Sequence, residues 1–485
     1  MIKLENISFT YQGQNGGMLR NVNLEIKAGE CVLLCGRSGC GKTTVTRLIN
    51  GLIPFFYGGE LSGKVTLDGV EIKDIPMYEL AKKIGSVFQN PRTQFFNVDT
   101  NSEIAFGIEN VGLPFEELIE SVDSTIKSLR IENLRDRNIF ELSGGEKQKI
   151  AFASIYAMNP DIFLLDEPSS NLDMQSIEDL KEHIKFVKSK GKTVVVSEHR
   201  LYYLLDIADK IVYMESGEIS HVFTSDELRK LSNDEISNMG LRSVDIERIK
   251  PAESEIKDFE TTLSIKNFAA GYKNFELLHD INIEAGKGEV VAVAGKNGSG
   301  KTTFSRSLCG LNKYHSGKVF SESVEMSAAK RLELSYIVMQ DVNYQLFAES
   351  LEKECTFGIS NFDPILVDET MKKLGLYDFK QRHPNTLSGG QKQRTAVAVS
   401  MICGKNLLVF DEPTSGLDFD SMTQVAKVVR ELSQMGKTIF IVTHDLEFIC
   451  RACSRVIHID DGTLAHDFNI TEENVDKLRS LFEQV

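Results

Sequence analysis

Polar and apolar residues alternate at the start of the chain, from Met1 to Asn6, and this pattern predicts a first β-strand. The run from Glu30 to Cys35 is apolar after its first residue, which is typical of a strand buried on both faces of a parallel sheet. A glycine-rich turn follows, and the segment from Lys42 to Asn50 predicts a helix that ends at Gly51. The sequence therefore predicts a strand, a glycine-rich turn and a helix in succession.

One set of motifs occurs twice in the 485 residues, a length at which chains usually divide into domains. The first copy contains GRSGCGKTT (36–44), LSGG (142–145) and LLDEP (164–168), and the second contains GKNGSGKTT (295–303), LSGG (387–390) and VFDEP (409–413). From the LSGG serine onward the spacing is identical in the two copies, whereas the second copy is shorter between its lysine and its serine. Because insertions concentrate in surface loops and partner-facing regions, we expect this variable part to face partners.

The repeat predicts two domains with a connector between them. We expect a first domain over residues 1–225, an acidic connector with the tail of the first domain over 226–262, and a second domain over 263–485. The connector contains more acidic than basic residues and one proline, Pro251, which is typical of a solvated segment.

Composition narrows the functional classes. The chain is 41% hydrophobic and 26% charged, close to globular averages, which excludes disordered, collagen-like and mucin-like proteins. The net charge of −15 argues against a protein whose main partner is a phosphate backbone. No run approaches the roughly 18 apolar residues of a membrane span, and the charged N-terminus does not resemble a secretory signal. We therefore expect a soluble intracellular chain whose eight cysteines are reduced.

The glycine-rich turns match the phosphate-binding pattern G-x-x-x-x-G-K-[ST], in which backbone amides and a helix N-terminus surround the phosphates. Two matches within a duplicated frame make a chance match negligible. The lysines are expected to reach the β- and γ-phosphates, and the next threonine hydroxyl to bind Mg²⁺. The predicted phosphate-binding residues are Gly36, Ser38, Gly39, Gly41, Lys42, Thr43 and Thr44, and Gly295, Asn297, Gly298, Gly300, Lys301, Thr302 and Thr303.

An acidic pair ends an apolar strand in each copy. Asp166 and Asp411 suit a Mg²⁺ shell, which favours carboxylates. Glu167 and Glu412 can polarise an attacking water. In isolation such a pair would indicate only the start of a solvated loop, but after a phosphate loop it favours the catalytic interpretation.

The LSGG turns allow two interpretations. Ser143 with Glu146, and Ser388 with Gln391, match a capping box that begins a helix. The paired glycines, however, leave bare amides at a helix N-terminus, which suits an anion. The predicted residues of this kind are Ser143, Gly144, Gly145, Ser388, Gly389 and Gly390.

Together these motifs resemble the ATP-binding-cassette (ABC) ATPases over nearly the whole chain, twice. The resemblance implies an α/β fold of two P-loop NTPase nucleotide-binding domains, each with a RecA-like core, an antiparallel β subdomain and a helical subdomain. It implies that each ATP, with Mg²⁺, lies between the phosphate loop of one copy and the LSGG turn of the other. Lys42 would then lie opposite Ser388, and Lys301 opposite Ser143.

The resemblance assigns further roles. Gln89 and Gln340 match the glutamine that senses Mg²⁺ and the attacking water, and His199 and His444 match the histidine that contacts the γ-phosphate. Asp173 and Asp418 match the aspartate that crosses the interface between the cassettes. Tyr11 and Tyr272 lie where an aromatic ring stacks on adenine, although each could instead pack within its strand. Neither copy departs from the pattern at a catalytic position, so we expect two hydrolytic sites.

Further phrases resemble the energy-coupling-factor subgroup of importer ATPases. They are GLIPFFY (51–57), QNPRTQFF (89–96), QDVNYQLF (340–347), EIAFG (103–107), ECTFG (354–358) and SEHRL (197–201). The resemblance implies a bacterial or archaeal motor at the cytoplasmic face of the cell membrane, with a membrane scaffold subunit and a small substrate-capturing membrane subunit as partners and no nucleic acid. A soluble tandem ABC ATPase that acts on ribosomes or DNA is the alternative. Such proteins usually carry a basic linker or extra insertions, which the acidic connector does not provide.

Two cysteine features allow chemistry of their own. Cys450 and Cys453 form a C-x-x-C pair, which could indicate redox or zinc chemistry, but the first copy has Leu205 and Ala208 there, so we predict packing residues. Cys40 lies inside the first phosphate loop, and we expect its thiol to be reactive towards alkylation.

Overall fold

A computed structural model of the protein describes residues 1–13, 17–170, 172–252, 259–273, 275–359 and 361–483. The chain divides into two compact units, Met1–Asp245 and Ile246–Val485. Each unit is described by itself below.

The first unit alternates strands and helices after an initial pair of strands. Its strands are β1 (Ile2–Tyr11), β2 (Leu19–Ile26), β3 (Cys31–Gly36), β4 (Gly59–Leu67), β5 (Val70–Glu71), β6 (Ile84–Val87), β7 (Ile162–Asp166), β8 (Thr193–Ser197), β9 (Lys210–Glu215) and β10 (Glu218–Phe223). Its helices are α1 (Lys42–Ile49), α2 (Leu52–Phe55), α3 (Met77–Lys83), α4 (Thr100–Val111), α5 (Phe115–Ser128), α6 (Gly144–Ala157), α7 (Met174–Ser189), α8 (Ser225–Lys230) and α9 (Asn233–Asn238). The predicted first strand and the helix that begins at Lys42 are both confirmed.

Two sheets organise the first unit. A six-stranded sheet has the order β10-β9-β3-β8-β7-β6, in which only the β9–β10 pair is antiparallel. A four-stranded antiparallel sheet has the order β2-β1-β4-β5. All six residues of β3 are buried, which confirms the predicted strand with two covered faces.

The residues of β3 alternate between two hydrophobic cores. Val32 and Leu34 pack with the antiparallel sheet and α1. Cys31, Leu33 and Cys35 pack in a second core, to which the helices α4–α9 contribute. The central sheet is therefore covered by a β layer on one face and by helices on the other.

The second unit repeats this plan. Its strands are β11 (Thr261–Tyr272), β12 (Phe275–Gly286), β13 (Val290–Ala294), β14 (His315–Ser321), β15 (Val324–Glu325), β16 (Ser335–Val338), β17 (Leu407–Asp411), β18 (Thr438–Val442), β19 (Arg455–Asp460) and β20 (Thr463–Asn469). Its helices are α10 (Lys301–Leu308), α11 (Ala328–Leu334), α12 (Leu351–Thr356), α13 (Pro364–Lys373), α14 (Gly389–Ile402), α15 (Phe419–Gln434), α16 (Leu446–Ala452) and α17 (Val475–Glu483). The sheets have the orders β20-β19-β13-β18-β17-β16 and β12-β11-β14-β15, which match the first unit. The predicted α/β class, with a parallel core, an antiparallel β part and a helical part in each copy, is confirmed.

The length differences between the copies fall in identifiable elements. Helix α2 has no counterpart among the described residues of the second unit, whose chain passes from α10 to β14. Helix α4 has 12 residues whereas α12 has 6, and α5 has 14 whereas α13 has 10. The central sheets are alike, so the variation lies in the helical part and beside the antiparallel sheet.

The boundary between the units lies inside residues 226–262, the segment predicted as connector and tail of the first domain. The first unit extends past residue 225 to Asp245, because Leu228 of α8, Ile236 of α9 and Leu241 are buried in its core. In the second unit, Arg479 of α17 donates hydrogen bonds to the Glu247 and Ile249 carbonyls. Residues 253–258 of the predicted connector lie outside the described residues.

The structure favours packing roles for the C-x-x-C cysteines. Cys450 and Cys453 are buried, and burial raises the pKa of the Cys450 thiol to about 12, so its reactive thiolate is scarce at neutral pH. Within the described ranges, no group of three or more His, Cys, Asp or Glu side chains could hold a metal ion.

In the part of the chain that the structure describes, none of the helices combines the length and hydropathy needed to cross a membrane.

Phe152 of α6 provides a test of the helix-covered core. It is fully buried and its ring stacks on Phe163 and His183, so we expect Phe152→Ala to lower the free energy of unfolding by about 3–5 kcal/mol. The matched control is Phe115→Ala, which removes an exposed ring of the same size and should change stability by about 0.5 kcal/mol or less. Urea denaturation followed by circular dichroism measures both. Equal destabilisation by the two variants would contradict the assigned core.

Candidate nucleotide-binding sites

Each phosphate loop begins where a central strand ends. Gly36 ends β3 with φ of 143°, and Gly295 follows β13 with φ of 148°, a backbone conformation that side chains rarely allow. A Cβ atom on Gly36 would lie 2.2 Å from the Met214 carbonyl oxygen, and one on Gly295 would lie 2.3 Å from that of Ile459. Only glycine therefore permits the loop to leave the sheet so close to the neighbouring strand.

The lysine of each loop is held by its own loop. Lys42 Nζ donates to the carbonyl oxygens of Gly36 (3.0 Å) and Arg37 (3.2 Å). Lys301 Nζ donates to those of Gly295 (2.6 Å) and Lys296 (2.8 Å). These bonds close each loop around its lysine.

The helices that follow present bare amides to the loops. Neither Gly41 nor Gly300, the N-cap residues of α1 and α10, forms a side-chain cap. A helix N-terminus with free amides and a positive dipole end is a ready site for phosphate oxygens. The other predicted residues lie in the same turns or in the first turn of the helix that follows: Ser38 and Gly39, then Thr43 and Thr44 of α1, in the first unit, and Asn297 and Gly298, then Thr302 and Thr303 of α10, in the second.

The first carboxylate of each acidic pair meets the threonine that follows the lysine. Thr43 Oγ1 lies 3.3 Å from Asp166 Oδ1, and Thr302 Oγ1 lies 3.0 Å from Asp411 Oδ2. Burial raises the pKa of both carboxyl groups above the ordinary value. A hydroxyl and a buried carboxylate are hard oxygen ligands of the kind that Mg²⁺ prefers, so these residues fit that ion.

The second carboxylate of each pair has a strained backbone and polar partners. Glu167 and Glu412 have φ of 46° and 50°, a left-handed conformation that is uncommon for residues other than glycine. Glu167 accepts a hydrogen bond from Gln89 Nε2 at 2.6 Å, and its Oε1 lies 3.4 Å from His199 Nε2. The structure thus brings together three of the residues that the sequence predicts for hydrolysis.

The second unit repeats the pair of glutamate and histidine with a different partner. Glu412 Oε1 lies 3.6 Å from His444 Nε2, and Thr443 Oγ1 donates to Glu412 Oε2 at 3.1 Å. One cleft gathers eleven of the residues predicted for this copy, without Gly295, the LSGG residues or Asp418. It is lined by Tyr272, Asn297, Gly298, Gly300, Lys301, Thr302, Thr303, Gln340, Asp411, Glu412 and His444, together with Leu277 and Val442.

The two candidate adenine-stacking tyrosines differ in exposure. Tyr11 is partly buried, its hydroxyl lies 3.2 Å from Thr44 Oγ1, and it accepts a hydrogen bond from Arg47. The Tyr272 hydroxyl lies 3.5 Å from Thr303 Oγ1, and this residue is 63% exposed. Tyr11 is therefore half-buried against the core of its unit, whereas the Tyr272 side chain is mostly exposed.

The LSGG turns form the capping boxes that the sequence suggests. Ser143 caps α6 with Glu146, and Ser388 caps α14 with Gln391. A Cβ atom on Gly145 would lie 2.2 Å from Ser176 Oγ, so this glycine allows close packing, whereas a Cβ atom on Gly389 would meet no atom within 4 Å.

The two aspartates that the resemblance assigns to the cassette interface are helix caps. Asp173 accepts a hydrogen bond from Ser176 N at 2.8 Å, and Asp418 accepts one from Ser421 N at 2.8 Å. They begin α7 and α15.

Cys40 differs from the expectation of a reactive thiol. Its side chain is only 4% exposed, beneath the turn that begins at Gly36.

Ser197 is a further residue of the first site that is not among the predicted ones, and its hydroxyl donates a hydrogen bond to the Asp166 carboxylate. The signal for Ser197 was its place in SEHRL, two residues before His199.

The comparisons with known proteins agree with this geometry. The ABC transporter family matches residues 19–170 and 278–415. A Treponema denticola protein, described as an ABC transporter ATP-binding protein, is 47% identical over 96% of this chain and 97% of its own length.

Two solved structures resemble the chain. A chain in a model of ribosome-bound archaeal Pelota and ABCE1 is 25% identical, with a TM-score of 0.72 over 98% of this chain and 80% of that one. The RNase-L inhibitor is 23% identical, with a TM-score of 0.67 over 98% and 93%, a likeness that shows the fold alone. The chain belongs to the ABC transporter family and is a tandem ABC ATPase, with one nucleotide-binding domain in each unit.

Proposed function

We propose that the chain is the ATP-hydrolysing motor subunit of an importer of the energy-coupling-factor type. Its partners would be an integral membrane scaffold and a small membrane subunit that captures a vitamin, a vitamin precursor, or cobalt or nickel ions. The chain would act at the cytoplasmic face of a bacterial or archaeal membrane. The observation that carries this proposal is an apolar groove in the first unit, directly after Gln89.

At each site we assign the chemistry to the residues that meet at the sheet edge. The loop amides and Lys42 bind the β- and γ-phosphates, and bound Mg²⁺ would offset the negative charge of the phosphate oxygens beside Thr43 and Asp166. Glu167 accepts a proton from the attacking water, whose oxygen forms a bond to the γ-phosphorus as the bond to the bridging oxygen breaks. His199 positions the γ-phosphate. In the second unit Lys301, Thr302, Asp411, Glu412 and His444 take the same roles, with Gln340 in the place of Gln89.

We further propose that the two sites are composite. Each ATP would lie between the phosphate loop of one copy and the LSGG turn of the other, with Lys42 opposite Ser388 and Lys301 opposite Ser143. The open position of Gly389 supports this role, since an anion can approach the amides there. Asp173 and Asp418, which begin α7 and α15, would contact the opposite copy.

The groove of the first unit suits an apolar helix. Phe96 is 74% exposed and its ring stacks on Phe106, with 4.7 Å between the ring centroids. Tyr78, Phe88 and Met158 also belong to the lining of the groove. Exposed apolar grooves of this kind bind one face of a partner helix.

A buried glutamate holds the loop that displays Phe96. Glu103 of α4 accepts hydrogen bonds from Phe96 N (3.0 Å) and Asn97 N (2.8 Å) through one carboxylate oxygen. Gln94 Oε1 also accepts a hydrogen bond from Phe88 N, which folds the loop back on its own strand. The QNPRTQFF and EIAFG segments are therefore joined by hydrogen bonds, and together they hold Phe96 at the surface.

The second unit has the same construction. Glu354 of α12 accepts hydrogen bonds from Phe347 N (2.8 Å) and Ala348 N (2.6 Å). Phe347 and Phe357 are both exposed, and their rings meet edge to face at 5.3 Å. Each unit thus offers its own aromatic docking surface, which supports a scaffold with two contact points.

The alternative function is a tandem ABC ATPase that acts on ribosomes. The likeness to the chain from the ribosome-bound complex of archaeal Pelota and ABCE1 favours it. The net charge of −15 weighs against contact with a ribosomal phosphate backbone. The importer is therefore our preferred proposal.

Hydrolysis should depend on both glutamates. We expect the double variant Glu167→Gln, Glu412→Gln to lose ATPase activity by about a hundredfold or more, because neither site can then accept the proton of water. Phosphate release by the purified chain measures this. ATP binding, followed with a fluorescent analogue, should persist, and hydrolysis at the wild-type rate would refute the assigned bases.

Docking should depend on Phe96. When the tagged chain is purified from detergent-solubilised membranes of its native host, we expect polytopic membrane subunits to copurify. Phe96→Asp should lower their recovery by about tenfold or more, since a central aromatic anchor is lost, whereas Phe115→Asp should not. A chain that sediments with ribosomes and brings down no membrane subunit would instead support the alternative.

The two docking surfaces should not be interchangeable. Because α4 is twice as long as α12, we expect a chain with residues 89–140 and 340–385 exchanged to fold but lose transport. Uptake by cells that carry the exchanged chain is the measurement, with basal ATPase activity as the check on folding. Full transport would show that the copies bind equivalent scaffold segments.

A further inference from the structure

A buried carboxylate lies directly before the first histidine. Glu198 is only 2% exposed. Its Oε1 accepts hydrogen bonds from His199 N (2.7 Å) and Arg200 N (3.2 Å), and its Oε2 accepts from Ser169 N (3.2 Å) and the Tyr203 hydroxyl (3.0 Å). Glu198 therefore ties the histidine to the loop that follows Glu167.

The second unit has a buried carboxylate directly after its histidine. Asp445 is 3% exposed. Its Oδ2 accepts from Thr414 Oγ1 at 2.8 Å, and its Oδ1 accepts from Phe448 N at 3.1 Å. Asp445 ties the chain after His444 to the loop that follows Glu412.

The equal spacing of the copies pairs these residues. Glu198 corresponds to Thr443, Arg200 to Asp445, and Ser169 to Thr414. The carboxylate thus precedes the histidine in the first copy and follows it in the second. In both copies it joins the segment at the histidine to the loop after the glutamate. Tyr203 corresponds to Phe448, so the hydroxyl is present only in the copy whose carboxylate accepts from it.

A buried carboxylate is costly unless several donors satisfy it, and hydrogen bonds from backbone amides to a charged oxygen are among the strong ones. The two copies use carboxylates at different positions to link the same two segments, which indicates that both copies require this link. That requirement is the position of the histidine relative to the glutamate loop, where an error of about 1 Å can lower the rate substantially.

We propose that Glu198 is a positioning residue for hydrolysis at the first site, and that Asp445 does the same at the second. Each holds its histidine against the loop that carries the catalytic glutamate and leads to Asp173 or Asp418. The inference rests on the proposed role of His199 and His444 in hydrolysis.

Moving the carboxylate within the first copy tests the proposal. We expect Glu198→Thr to lower kcat by up to about twofold, since the second site still works, with KM for ATP changed by less than about twofold. Adding Arg200→Asp recreates the arrangement of the second copy and should restore at least about half of the lost kcat. Steady-state phosphate release measures both variants.

The tyrosine hydroxyl supplies a second, milder test. Tyr203→Phe should lower kcat by a smaller factor, about 1.2 to 1.5, while Glu198 is present, and have no effect in the Glu198→Thr, Arg200→Asp chain. Tyr202→Phe is the matched control, because its hydroxyl contacts Met174 Sδ and is not a partner of Glu198.

Different outcomes would refute the positioning role of Glu198 and the assigned role of His199. A Glu198→Thr chain with wild-type kcat, or one that Arg200→Asp does not rescue, overturns the positioning role. If Glu198→Thr does not fold, as judged by its thermal unfolding, the Tyr203→Phe result in the otherwise wild-type chain decides: an unchanged kcat overturns the proposal. His199→Ala with unchanged kcat would instead refute the assigned histidine, and none of these assays depends on a membrane partner.

Discussion

The register of neighbouring parallel strands places the phosphate loop, the acidic pair and the histidine of each unit. In the first unit β7 pairs with β8 so that Asp166 lies beside Ser197, and β8 pairs with β3, which leads into the phosphate loop. The Glu167 amide donates to the Ser197 carbonyl at 2.9 Å, and the Glu198 amide donates to the Leu34 carbonyl at 3.0 Å. Because parallel strands end at one edge of the sheet, the loop, the carboxylates and the histidine meet there although they are far apart in sequence.

The two copies share the strand order of the central sheet but differ in the side chains that contact the catalytic groups at its edge. Glu167 is held by Gln89, whereas Glu412 is held by Thr443. Variation of this kind is tolerated because the backbone positions are set by the buried sheet, so a side chain can be exchanged wherever another donor reaches the same oxygen. The copies are alike in the chemistry they can support and different in how each carboxylate is secured.

In the first unit, one short loop joins the proposed docking surface to the proposed hydrolytic residues. Gln89 contacts Glu167 at one end of the loop, and Phe96 is exposed at the other. The buried Glu103 fixes the loop to α4, so a force on the groove would act on the residue beside the glutamate. In the second unit Glu354 fixes the corresponding loop to a shorter helix. Such a link is what the proposed motor would need in order to convert hydrolysis into movement of a partner.

The sequence by itself determined the duplication, the two phosphate loops, the acidic pairs and the α/β class, because glycines, lysines and strand-end carboxylates at fixed spacing have few other physical uses. Only the tertiary structure decided that Cys40 is buried and that the first unit extends to Asp245. It also decided that a hydrogen bond to Glu103 holds the loop on which Phe96 is exposed. It also decided which acceptor each buried donor meets, as with Tyr203 and Glu198. Local spacing encodes a loop or a strand, whereas burial and partner choice depend on segments that the fold brings together from distant parts of the chain.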